Sequence, residues 1–95
     1  MGEMADIYLP ARLDLQSAAS LKTALSAAGR QPVRLDASGV EWVGGLGFQL
    51  LAAAAEKWRA EGQLMRVDTP SEAFLRGVAR LGGLDLPTAM AGDEA

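Results

Sequence analysis

Val33-Arg34-Leu35-Asp36-Ala37-Ser38-Gly39-Val40-Glu41-Trp42-Val43-Gly44-Gly45-Leu46-Gly47-Phe48-Gln49-Leu50-Leu51 is the stretch from which the fold can be read. It opens with alternation: Val33 and Leu35 face one way and Arg34 the other, the period of a half-buried strand over residues 33–37. The next ten residues, 38–47, hold four glycines and few helix formers, and read as a loop. From about Leu46 to Glu61 the period changes. Leu50, Leu51, Ala54, Ala55 and Trp58 fall on one helical face, while Glu56, Lys57, Arg59 and Glu61 stay in water. Strand, glycine loop and amphipathic helix in that order are one half of a parallel crossover unit.

The same grammar extends in both directions. Upstream, residues 5–13 mix Ile7, Tyr8 and Leu9 with Pro10, which suits an edge strand or two short ones, since proline has no amide hydrogen to give a ladder. Asp14 or Ser17 can cap a helix in which Ala18, Leu21, Leu25 and Ala28 recur at helical spacing; Gly29 stops it. Downstream, residues 64–68 form a third strand, with Met65 as buried filler. Thr69-Pro70-Ser71-Glu72 then reads as a helix start, with Thr69 as N-cap and Glu72 completing a capping box. Phe74, Leu75, Val78 and Leu81 are expected to bury one face of that helix before Gly82-Gly83 closes it. The implied fold is α/β: a small mixed or mostly parallel sheet with helices mainly on one side. Residues 1–87 form one domain, and 88–95 are expected to be a small, acidic, disordered tail.

Composition narrows the function. A 95-residue chain supports one core and no cleft between lobes. It has no histidine, and so lacks the commonest general base and metal ligand. Without cysteine it has no disulfides or thiolate metal sites, which suits a reducing cytoplasm. A net charge of -3 with scattered basic residues argues against nucleic acid. No apolar run is long enough for a membrane span, and nothing at the N-terminus looks like a signal peptide. No catalytic residue, cofactor or metal site is expected. Asp36 has no second acidic ligand nearby, and the glycine loop lacks the Gly-Lys-Ser/Thr ending of a nucleotide-binding loop. Its glycines read more simply as positions for positive backbone angles in a tight turn.

The central stretch resembles the signature of STAS domains, in which a strand ends in Asp-x-Ser-Gly-Val and a loop reading Asp-Ser-x-Gly-Leu opens onto a helix. Asp36, Ser38, Gly39 and Val40 match the first half. Gly47 matches the second, with Phe48 in place of leucine and Leu50-Leu51 continuing the helix. Leu13-Asp14 followed by Ala18 and Leu21 resembles the family's first helix entry, so the likeness covers roughly residues 5–83. It implies a protein-interaction module of the anti-sigma factor antagonist type. In those relatives the loop carries a serine that a partner kinase phosphorylates. Ungapped alignment puts Gly44, Gly45 and Leu46 over the acidic residue, the hydroxyl residue and that serine. Leucine accepts no phosphate, so the resemblance implies an interaction surface without the usual switch.

The Gly44-Gly45-Leu46-Gly47 pattern further resembles small STAS proteins found with bacterial chemotaxis histidine kinases. That likeness implies an adaptor whose partner is a histidine kinase or signalling complex; the alternative is an anti-sigma factor or its kinase. The expected partner-binding residues are Ser38, Glu41, Trp42, Gly44, Gly45, Leu46, Gly47 and Gln49. Trp42 and Leu46 are the anchors, Glu41 and Gln49 a polar rim, and the glycines allow close approach. Trp42 also reads as a core residue and Ser38 as a loop-stabilising hydroxyl; Trp58 reads as core.

Overall fold

A computed structural model of the chain describes residues 4–83 and 88–89. The elements run β1 (Ala5–Tyr8), β2 (Arg12–Leu13), α1 (Leu15–Ala28), β3 (Val33–Asp36), β4 (Trp42–Val43), α2 (Gly45–Ala60), β5 (Met65–Asp68), α3 (Glu72–Arg80) and β6 (Thr88–Ala89). β1, β3, β5 and β6 make an all-parallel sheet in that order, and β2 pairs with β4 in a separate parallel ladder. The expected α/β fold is present, with two refinements. Pro10 divides the first segment into β1 and β2, and the glycine loop contains a two-residue strand. Thr88–Ala89, placed by the sequence in the tail, pairs with β5; residues 90–95 lie outside the described residues.

Register explains which face is covered. Ala5, Val33 and Met65 stand side by side, as do Ile7, Leu35 and Val67, and Val33, Leu35, Met65 and Val67 are buried beneath α1 and α2. The alternate positions, Asp6, Tyr8, Arg34, Asp36, Arg66 and Asp68, form the opposite face. Parallel sheets are usually covered on both sides. Here the outer face stays in water because it is charged: Arg34 bonds Asp6 at 2.8 Å and approaches Asp68 at 3.3 Å, and Arg66 bonds Asp68 at 2.8 Å. Asp6 first and Asp68 after it raise the Arg34 pKa above its ordinary value.

The helices start and stop for local reasons. Asp14 accepts from the Ser17 amide at 3.2 Å while the Ser17 hydroxyl accepts from the Asp14 amide at 3.1 Å, so the two candidate caps act as a reciprocal pair. The Ser17 amide, with help from Arg12, holds the Asp14 carboxyl below its ordinary value of 3.8. The capped form is therefore fully stabilising above 3.8 and loses its contribution as pH falls through the lowered value. Asp14→Asn keeps an acceptor but removes the titration, and we expect the acid limb of a pH-dependent unfolding curve, followed by circular dichroism, to become shallower.

α3 corrects the sequence reading. Thr69 is not the N-cap: its φ of 48° is left-handed, whereas a cap needs extended backbone. Ser71 takes the role, accepting from the Phe74 amide at 3.0 Å and donating to the Val40 carbonyl at 2.7 Å. Pro70 consequently precedes the helix. Phe74 is buried and Val78 and Leu81 partly so, but Leu75 faces solvent. Gly77 replaces it on the inner face, where Val43 packs so closely that an added Cβ would lie 2.9 Å from Val43 Cβ.

Candidate docking surface

The β2–β4 ladder brings two distant pieces of sequence together. Arg12 stands beside Trp42 and Leu13 beside Val43, and the Gly44 amide donates to the Leu13 carbonyl at 2.8 Å. The starts of α1 and α2 thereby meet at one end of the domain. Leu13 and Val43 point inward and are fully buried, so alternation turns Arg12 and Trp42 outward. Trp42 is 42% exposed, Leu46 51% and Leu15, the first residue of α1, 70%. Three of the six exposed large apolar residues among those described are therefore gathered at this end. Leu15 was missed in the sequence because an apolar residue directly after a helix cap looks like the beginning of the core stripe.

The other expected site residues divide. Glu41, Gly45 and Gln49 are exposed and Gly44 is half-buried, all within the same loop and helix start. Gly47 is a correction: it is buried, and an added Cβ would lie 2.5 Å from the Leu13 carbonyl oxygen. It serves the approach of α2 to β2, not the approach of a partner. The tight-turn reading of the loop glycines is also corrected, because positive φ occurs at Gly29, Gly62, Gly82 and Gly83 and at none of the loop glycines. Ser38 is exposed but turned to Asp36, whose Oδ1 accepts from both its hydroxyl (2.7 Å) and its amide (2.9 Å). These bonds, the hydroxyl first, lower the Asp36 pKa.

Two arginines lie against the exposed indole. The Arg12 guanidinium carbon lies 5.8 Å and that of Arg80 5.3 Å from the Trp42 ring centroid, within cation–π range. Arg80 Nη2 also donates to the Val43 carbonyl at 3.3 Å. Ala73, Gly77 and Arg80 recur at helical spacing on α3, and with Arg76, Glu41 and Trp42 they line a notch of about 200 Å³. Gly77 lines the notch, while the direction a side chain would take from it is already filled by Val43. Among the described residues there is no cluster of three or more His, Cys, Asp or Glu placed to hold a metal, and no helix is long and apolar enough to cross a membrane.

The exposed apolar residues Trp42, Leu46 and Leu15 thus sit at the end of a small α/β domain where two helices start. The family model described as Mlab, STAS domain matches residues 2–88, and the chain belongs to this STAS family. No curated protein and no solved structure matches the chain. STAS domains are generally non-enzymatic modules that mediate protein–protein interactions in signalling and regulation.

Proposed function

We propose that this STAS domain is a non-enzymatic adaptor that binds a protein partner constitutively through Trp42, Leu46 and the start of α2. The observation that carries the reading is Leu46 itself. Ungapped alignment with the family signature sets it over the phosphorylated serine, and it is half exposed, at the same end of the domain as exposed Trp42 and Leu15. In relatives with serine there, phosphate brings about -1.5 to -2 charges to the contact. Leucine keeps this surface apolar at all times, so control passes to the partner. The resemblance of Gly44-Gly45-Leu46-Gly47 to chemotaxis-associated relatives supports a histidine-kinase signalling complex as that partner.

Leu46→Asp tests the surface. Leu46 is the second residue of α2, where a carboxylate is favourable to the free amides of the first turn. The variant is therefore expected to fold with a stability change within about 0.5 kcal/mol. Affinity capture from source-cell cytoplasm, read by mass spectrometry, should retain a histidine kinase or receptor-associated protein on wild type and lose it on Leu46→Asp. Capture of a sigma-pathway kinase favours the anti-sigma antagonist reading instead. Equal retention by both baits removes the loop from the proposal.

A further inference from the structure

We infer that the notch between β4 and α3 receives a carboxylate side chain from an acidic segment of the partner, with Arg80 and Arg76 as its ligands and Trp42 as its apolar wall. This rests on the reading of the Trp42–Leu46 end as the docking surface. The protein carries a net charge of -3, yet two arginines and one acid, Glu41, line the notch. Arg80 makes no ion pair among the described residues; its recorded contacts are the Val43 carbonyl and the indole. Arg76 has only Glu72, 3.8 Å away between two highly exposed side chains, a contact readily exchanged for a better one. Nearby Arg12 is already occupied by Asp14 at 3.3 Å.

The chemistry of the pair favours a carboxylate. A guanidinium presents a planar fork that grips two oxygens at once, and it keeps this geometry when stacked on an aromatic ring. Gly77 and Ala73 line the notch beside the fork, and the indole shields it from water on one side, which strengthens a charge-assisted bond. Glu41 is the one acid of the lining, so the notch takes one acidic side chain at a time, entering from the α3 side where Arg76 and Arg80 stand. The apolar anchors Leu15 and Leu46 lie beyond Trp42, so the complementary segment pairs an acidic residue with neighbouring apolar ones.

The test is a titration of the ¹⁵N-labelled full chain with a blocked oligoglutamate peptide, followed through the Trp42 indole and the Gly77 and Arg80 resonances. Oligolysine and inorganic phosphate serve as parallel probes. Oligoglutamate is expected to move these signals, Arg80→Gln to weaken binding about tenfold, Arg80→Lys to fall between, and Arg30→Gln to match wild type. Equal affinity for wild type and Arg80→Gln overturns the proposal. So does oligolysine moving the same signals, or phosphate alone moving them with similar affinity, which marks a small-anion site. In the capture experiment, a partner lost by Leu46→Asp but fully kept by Arg80→Gln also overturns the notch while leaving the adaptor reading intact. If Leu46→Asp keeps every partner, the adaptor surface fails and the titration alone decides the notch.

Discussion

Trp58→Ala is expected to destabilise the domain by about 3–5 kcal/mol, a large share of the roughly 5–15 kcal/mol typical of a single domain. Trp58 is 2% exposed and is the largest fully buried side chain in the core. It lies on the inner stripe of α2, and its Nε1 donates to the Gln31 carbonyl at 2.9 Å, just ahead of β3. The indole thus fixes both the depth of α2 and the point where β3 enters the sheet. Truncation leaves a large void and an unpaired carbonyl; Trp58→Phe fills most of the void and should cost only about 1–2 kcal/mol. Urea unfolding separates the cases. A loss below about 1 kcal/mol for Trp58→Ala would mean that α2 is not held where the indole places it.

Gly47→Ala is the second large effect, and its sign runs against helix propensity. Alanine is favoured over glycine inside a helix by about 1 kcal/mol, and Gly47 is the third residue of α2. An added Cβ would lie 2.5 Å from the Leu13 carbonyl oxygen, 2.7 Å from its carbon and 2.8 Å from Leu13 Cβ. None of these atoms is the free end of a flexible side chain, so α2 and β2 must separate. The clash outweighs the propensity, and a net loss of about 2–3 kcal/mol is expected, a fall in Tm of roughly 10–20 °C. Gly45→Ala, two residues earlier, meets nothing within 4 Å. It should be neutral or stabilising by about 0.5 kcal/mol. Thermal melts should therefore show Gly47→Ala falling while Gly45→Ala holds or rises, and an equal fall in both would refute the close approach of α2 to β2.

This contrast shows why part of the molecule was legible in its sequence and part was not. β1, β3 and β5 carry inner faces that alternate over four residues, and α1 and α2 carry apolar stripes over three turns or more, so periodicity reveals them. The β2–β4 ladder and β6 are two residues long each, too short for any period. Choosing between Thr69 and Ser71 needed the Val40 carbonyl, thirty-one residues before Ser71, to which the Ser71 hydroxyl donates. Leu75 looked internal because large apolar residues were read and Gly77 was not. At the proposed docking surface, Trp42, Leu46 and the polar rim sit in one continuous segment, which a linear reading can single out. It does not single out Leu15, Arg12 and Arg80, because the ladder and α3 bring them to the indole from remote positions in the chain. Gly47 looked the same as Gly45 in sequence and differs only in what lies behind it.

Strand order in the main sheet, β1-β3-β5-β6, is also the order of the chain. During synthesis each newly released strand finds its station at the free margin left by the one before, and none has to be wedged between two already joined. α1 can settle on the first pair before α2 has left the ribosome, and α2 on the next before α3 emerges. The main sheet can therefore grow strand by strand from one margin, and once β3 has paired with β1 each later strand meets a single open edge.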